Sequence, residues 1–193
     1  MEERSRRIVG AAIELAEQGG FEAVRLRDVA AQANVALGTL YRRFRSKEDL
    51  LLAALELELG EYGRRVVSEP PRGETALERV NGFFEGYTDT LCRRPNLARA
   101  LVRAIASGAP ELTLKVASFH ASTEALITAS LRGEPAGERS AAPTEVERRL
   151  VQSLLLVWFA SLTGWASGLH ERSEILTHTR SAAELMLAGR DEP

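Results

Sequence analysis

The stretch Arg25 to Leu51, RLRDVAAQANVALGTLYRRFRSKEDLL, constrains this chain more than any other. It reads as two short helices with a tight turn between them, followed by the start of a third. Val29, Ala30 and Ala33 set apolar side chains on one face of the first helix, near the i, i+4 recurrence that a helix requires. Asn34 stands where the chain must turn, and Asn tolerates the left-handed conformation that such a corner demands. Val35 and Leu40 then resume the apolar pattern over about two helical turns. Leu37, Gly38, Thr39, Tyr41, Arg42 and Arg43 cannot all be buried on so short a helix. A hydroxyl, a phenol and two guanidiniums pointing away from a scaffold suit the major groove of DNA.

From Arg25 to Lys47, six basic residues stand against one acid, a local balance of +5 in a chain of net charge −2. Such local basicity is the footprint of a polyphosphate contact. Alone, a charge run fits a solvated helical face just as well. The tetrapeptide Gly38-Thr39-Leu40-Tyr41 inside the run tips the reading towards DNA.

The run from Gly38 to Leu50, G-T-L-Y-x-x-F-x-S-K-x-x-L, resembles the helix-turn-helix of the TetR family of bacterial transcriptional repressors. The likeness is strong over about the first fifty-five residues; beyond them only length and helical layout agree. It implies an all-α fold in which an N-terminal three-helix helix-turn-helix domain (1–52) is joined by a long helix to a larger effector-binding and dimerisation domain (53–193). Carried over by position, the DNA-facing residues are Arg25, Arg27, Leu37, Gly38, Thr39, Tyr41, Arg42, Arg43 and Lys47. Lys47, Tyr41 and an arginine would hold phosphates, while Thr39, Gly38 and Arg42 or Arg27 would meet base edges or methyl groups. Two positions depart from the family pattern. Arg25 and Ala36 stand where Thr or Ser usually caps a helix, and neither side chain can accept an orphan backbone N–H. Each lost cap costs about 1 kcal/mol, so packing by Val35, Leu40 and Phe44 must compensate. The variant V-A-x-G-T-L-Y-R-x-F is similar to the KstR-like branch of the family.

Length and composition set the frame for the rest. The 193 residues suffice for one large domain or two small ones. Abundant Ala, Leu, Glu and Arg, with few β-branched runs, favour helix throughout. A single cysteine, Cys92, excludes an intrachain disulfide framework and fits a reducing cytoplasm, where its apolar register predicts a buried structural thiol. The N-terminus MEERSRRIVG has no apolar stretch before a cleavage site, so no secretory signal is expected. Between Arg149 and Glu171 lie 21 residues without Asp, Glu, Lys or Arg, close to the length of a membrane span. Gln152, Ser153, Ser161, Thr163, Ser167 and His170 interrupt it, which predicts a helix buried within a soluble oligomer and no membrane contact.

Taken in order, the first helix spans Arg4 to Gln18, with Ile8, Ala11, Ala12, Leu15 and Ala16 as its apolar stripe and Gly19-Gly20 as a left-handed cap. Phe21 is expected to plug the core beneath the helix-turn-helix. Ser46 begins a long helix to Val67, with Asp49 completing a capping box, and PPRGE is a linker. Helices then run from Thr75 to Arg94, Leu97 to Ser107, and Leu112 to Leu131. A loop follows through GEPAGERSAAP, Thr144 caps a helix to Leu169, and a last helix spans Ser173 to Leu187.

Phe83, Phe84, Tyr87, Phe119, Leu126, Trp158 and Leu162 could enclose an apolar cavity, although aromatic stripes at this spacing also make ordinary core. The family resemblance implies an effector pocket here, with Thr88, Thr123 and Ser161 orienting a small hydrophobic ligand. The KstR-like features imply an acyl-coenzyme A or steroid-like effector. Ala160, Gly164 and Gly168 recur at intervals of four. Glycines inside a helix cost nearly 1 kcal/mol each relative to Ala, so a packing purpose is implied. With Ala182 and Met186 on the last helix, this face resembles the family's homodimer seam; close packing within one chain is the alternative. Two heads related by a two-fold axis would read half-sites about 34–36 Å apart on a palindromic operator. An effector that preferred a wider separation of the heads would weaken DNA binding by a coupling of about 1–3 kcal/mol.

No phosphate loop, paired metal-ligand motif or nucleophile elbow is present, so neither an enzyme nor a bound cofactor or metal is expected. His120 with Glu124, and His170 with Glu171, are solvated or core pairs. The remaining alternatives are a DNA-binding regulator without an effector, and a helical effector-sensing adapter whose helix-turn-helix binds protein.

Overall fold

A computed structural model describes residues 3–135 and 141–188. The helices are α1 (Glu3–Ala23), α2 (Leu26–Gln32), α3 (Leu37–Tyr41), α4 (Lys47–Ser68), α5 (Ala76–Leu91), α6 (Pro95–Ala106), α7 (Thr113–Arg132), α8 (Glu145–Ala166) and α9 (Arg172–Leu187), with a 3-10 turn at Pro110–Leu112. Among the described residues there is no strand, and the all-α expectation holds. Of the expected loop from Gly133 to Pro143, residues 136–140 lie outside the described ones. Among the described residues no helix is long and apolar enough to cross a membrane.

The chain packs as two compact units. The first holds residues up to 58 together with 91–117, and the second holds 59–90 with those from 118 onward. The expected boundary at 52/53 therefore falls within the first unit, because α6 returns to cover α1.

In the first unit, Ile8, Val9, Ala12 and Ala16 of α1 are buried with Leu97, Ala98 and Leu101 of α6. Leu15, expected in the stripe, is half-buried. The helical path breaks at Gly20, whose φ of 68° and ψ of −161° are open only to glycine, and a further turn leads to Ala23. The start of α6 is capped from outside its own sequence. Arg94 provides no side-chain bond there. Instead the Leu97 N–H donates to the Glu17 carboxylate (3.0 Å) and the Asn96 amide donates to the Glu17 carbonyl (2.9 Å). One α1 residue thus satisfies a backbone donor that α6 would otherwise orphan.

In the second unit, Thr144 caps the start of α8, as its sequence predicts, and Glu147 reaches back to complete a reciprocal capping box. Helix α8 ends at Ala166, earlier than the expected Leu169. The Leu169 N–H donates to the Gly164 carbonyl and the Gly168 N–H to that of Trp165, with Gly168 at φ 80°. This is a Schellman stop, so Gly168 ends the helix and does not belong to its interior. Cys92 is buried, as expected.

Candidate functional site

The helix-turn-helix assembles as its sequence predicts. Val29, Ala30 and Ala33 are buried, Asn34 turns the chain at φ 52°, and the Val35 N–H donates to the Ala30 carbonyl (2.9 Å). Arg25 and Ala36 make no side-chain cap bond to α2 or α3. Compensation comes from Leu40, fully buried, and Phe44, 7 % exposed; Val35, expected to share that role, is only half-buried. With Leu40 held inward, Gly38, Tyr41, Arg42 and Arg43 are exposed, Leu37 and Thr39 are half-buried, and Arg25 and Arg27 are exposed on α2 and just before it. Tyr41 is 51 % exposed, an unusual amount for an aromatic ring beside a packed core. Arg42 donates to the Thr39 hydroxyl (3.1 Å), so that hydroxyl and a guanidinium are held together on this face.

Lys47 takes a different attitude from the other cations. Its ammonium donates to the Phe21 carbonyl (3.1 Å), sits 3.8 Å above the Phe21 ring and lies 3.7 Å from the Glu22 carboxylate. Arg103 also covers that ring, at 4.3 Å, and pairs with Glu22 at 2.8 Å. Phe21 is therefore a half-buried ring that receives two cations, not the core plug that its hydrophobicity suggested. Reaching a phosphate would require Lys47 to exchange these partners for it. Ser46 caps α4 by accepting the Asp49 N–H (3.1 Å), but Asp49 reaches back to the Arg45 N–H (2.9 Å), one residue before the cap. The Asp49 carboxylate is buried and also pairs with Lys115. Its charge is thus compensated inside the first unit.

In the second unit the aromatic residues Phe83, Phe84, Tyr87 and Trp158 of the expected pocket pack against one another. Phe83, Phe84, Tyr87, Thr88, Thr123, Trp158, Ser161 and Leu162 are buried, and Phe119 and Leu126 are half-buried. Phe83 stacks on Tyr87 (5.0 Å between centroids), and Trp158 lies 5.3 Å from Tyr87. The polar groups pair with one another. The Tyr87 hydroxyl bonds that of Thr123 (3.1 Å), and the Trp158 indole donates to Thr88 (2.9 Å). Burial raises the Tyr87 phenol pKa far above its usual range, opposed by the Thr123 bond. Ser161 faces elsewhere, 3.2 Å from His178 Nδ1. Sequence reasoning missed Tyr62, whose ring lies 5.9 Å from both Phe83 and Tyr87 and whose hydroxyl donates to the Phe83 carbonyl (2.9 Å). Its signal was legible: Leu55, Leu59, Tyr62 and Val66 are all buried and follow helical spacing along α4.

Of the residues expected at a dimer seam, Ala160 and Met186 are exposed, Ala182 is half-buried, and Gly168 is an exposed helix stop. Gly164 is buried, and a Cβ added there would collide with the His170 imidazole. Close packing within the chain therefore explains that glycine. Leu156 on α8 and Leu185 on α9 are 65 % and 81 % exposed, apolar groups without cover in this chain. His120 sits half-buried beside Phe119 and Phe159, and His170 lies 3.6 Å from Glu174. Among the described residues, no three His, Cys, Asp or Glu side chains group as a metal site.

Residues 8–54 match the family model described as bacterial regulatory proteins, tetR family, and residues 73–186 match the Tetracyclin repressor-like C-terminal domain. The HTH-type transcriptional repressor KstR of Rhodococcus jostii (strain RHA1) is 30 % identical over 185 residues, which are 96 % of this chain and 83 % of KstR. A TetR transcriptional regulator from Rhodococcus sp. RHA1 is similar over 99 % of this chain and 100 % of its own, with a TM-score of 0.82 and 26 % identity. Thermus thermophilus FadR, a repressor solved in complex with lauroyl-CoA, has a TM-score of 0.69 at 22 % identity over 98 % of this chain and 96 % of its own. That last likeness concerns the fold alone.

Proposed function

Because the chain belongs to the TetR family of bacterial transcriptional regulators, we propose that it is a repressor that binds a palindromic operator as a homodimer and is released by a small hydrophobic effector. The observation that carries DNA binding is the exposed face of α3. Tyr41, Arg42 and Arg43 project from a two-turn segment anchored by Leu40 and Phe44. In this reading Thr39, Gly38 and Arg42 or Arg27 meet base edges; Tyr41 and neighbouring arginines hold phosphates, joined by Lys47 if it leaves Phe21. Leu37 packs beside them, and Arg25 reaches the backbone from the start of α2. The homodimer rests on the uncovered Leu156 and Leu185 together with Ala160, Ala182 and Met186. The effector would be an acyl-coenzyme A or a steroid-like molecule, by analogy with KstR and with the lauroyl-CoA complex of FadR. The aromatic cluster around Tyr87 and Trp158 is its proposed seat.

A regulator without an effector is the second reading, and one observation favours it: the hydroxyls meant to orient a ligand, on Thr88 and Thr123, already bond Trp158 and Tyr87. Anisotropy with a labelled duplex from the gene's own upstream region tests both. Salt-sensitive binding without ligand, weakened by lauroyl-CoA or a steroid thioester, supports the first reading. Binding indifferent to every such ligand supports the second. No binding in low salt would overturn both.

A further inference from the structure

We propose that Lys47 is a stowed phosphate contact and that Arg103 is the positioning residue that lets it leave its stowage; this rests on the DNA-binding reading above. Four residues of the first unit meet at the end of α1. The Glu22 carboxylate lies between two cations, with one oxygen 2.8 Å from Arg103 and the other 3.7 Å from Lys47. The Phe21 ring serves the same two, Lys47 at 3.8 Å and Arg103 at 4.3 Å from its centroid. Two positive charges thus share one carboxylate and one ring, and each lessens the hold on the other.

What Lys47 would leave behind decides the cost of its release. The Phe21 carbonyl accepts from the Lys47 ammonium at 3.1 Å and also from the Val24 N–H at 3.3 Å, so it keeps a donor. Glu22 keeps Arg103, its nearer cation, and the ring keeps the Arg103 guanidinium. No partner is orphaned, and an orphaned partner is what makes a broken polar contact expensive. Lys115 is the opposite case, because its departure would take a cation from the buried Asp49 carboxylate. Lys47 opens α4, directly after the recognition helix and its loop. Its flexible four-carbon stem can carry the ammonium from Phe21 to a phosphate. Without Arg103, the Glu22 carboxylate falls to Lys47, and a phosphate must then compete for it.

The test is the salt dependence of binding by the full chain, measured on the upstream duplex and on a mixed-sequence duplex. Each phosphate contact contributes about 0.9 to the slope of log affinity against log salt. Lys47→Gln should lower the slope by about that amount per head and weaken both duplexes alike. Arg103→Gln should do the same in the wild-type background and nothing further beside Lys47→Gln. Arg103→Lys should restore the slope, and so should Glu22→Gln added to Arg103→Gln, since no carboxylate then holds Lys47. The Arg103 and Glu22 side chains are 60 % and 72 % exposed, so these changes spare the core, and circular dichroism checks it. An unchanged slope for Lys47→Gln or Arg103→Gln would refute the proposal, while wild-type binding leaves the regulator reading standing. An Arg103→Gln loss that survives Glu22→Gln, or adds to that of Lys47→Gln, would refute it too, by making Arg103 a phosphate contact in its own right. A slope raised by Glu22→Gln beside Lys47→Gln would show diffuse charge and no stowage. If wild type binds neither duplex, the DNA reading falls, and this inference with it.

Discussion

Replacing Glu147 by Gln removes one charge from the start of α8, and the contacts there set what this should cost. The Glu147 carboxylate accepts from Arg132 Nε (3.0 Å) and Nη2 (2.9 Å), and from the Thr144 N–H (2.8 Å) and hydroxyl (2.9 Å). The Arg132 hydrogen bonds, with burial opposing and Thr144 adding, hold the carboxyl down to about 2. Against a usual value of about 4.3, that shift corresponds to roughly 3 kcal/mol before screening. Arg132 is 19 % exposed at the rim, so water screens the pair, and about 1–2 kcal/mol is the expected net loss. In a chain of this size the melting temperature should then fall by roughly 2–8 °C. The sign with pH follows from the depressed folded value. The carboxylate's contribution is complete above about pH 5 and disappears as pH falls towards 2, since protons bind the unfolded chain first. Urea midpoints of wild type and Glu147→Gln should therefore differ by a constant amount near neutrality and converge as the medium is acidified below about pH 4. A gap that is absent at neutral pH, or that persists undiminished in acid, would refute the assignment of this stability to the ion pair.

Tyr41→Ala should abolish operator protection in footprinting while leaving the circular dichroism spectrum intact; surviving protection would move the recognition surface off α3. The double variant Leu156→Arg, Leu185→Glu should shift sedimentation towards monomer, whereas a persistent dimer would place the seam elsewhere. Gly164→Leu should instead cost about 1–3 kcal/mol of stability and lower the melting temperature at every protein concentration, as its side chain meets His170 within the same chain. A melting point that falls only at low concentration would return Gly164 to the seam.

The features legible in the sequence were those whose cause is local. Helical spacing, the Asn34 corner, the missing caps at Arg25 and Ala36 and the cap at Thr144 each depend on residues a few positions apart, where backbone geometry fixes the neighbours. The run around Gly38–Tyr41 was readable for the same reason, and Leu40 had only one way to face. The dimer glycines show where that reasoning stops. Their spacing suggested a stripe, yet Gly168 ends the helix and Gly164 makes room for a histidine beyond that stop.

What belongs to tertiary structure alone is where a charge goes once several partners can reach it. Lys47 was expected to hold a phosphate, but Phe21 and Glu22 come within its reach when α1 folds against the start of α4. Asp49 needs Lys115, and the first turn of α6 needs Glu17; neither pairing has a periodicity to betray it. A sequence specifies which helix faces are apolar, because burial rewards that pattern wherever the helix lands. Which cations remain available to an anion is settled by distances across the folded unit, since electrostatic and hydrogen-bond energies depend on separations that chain position does not encode.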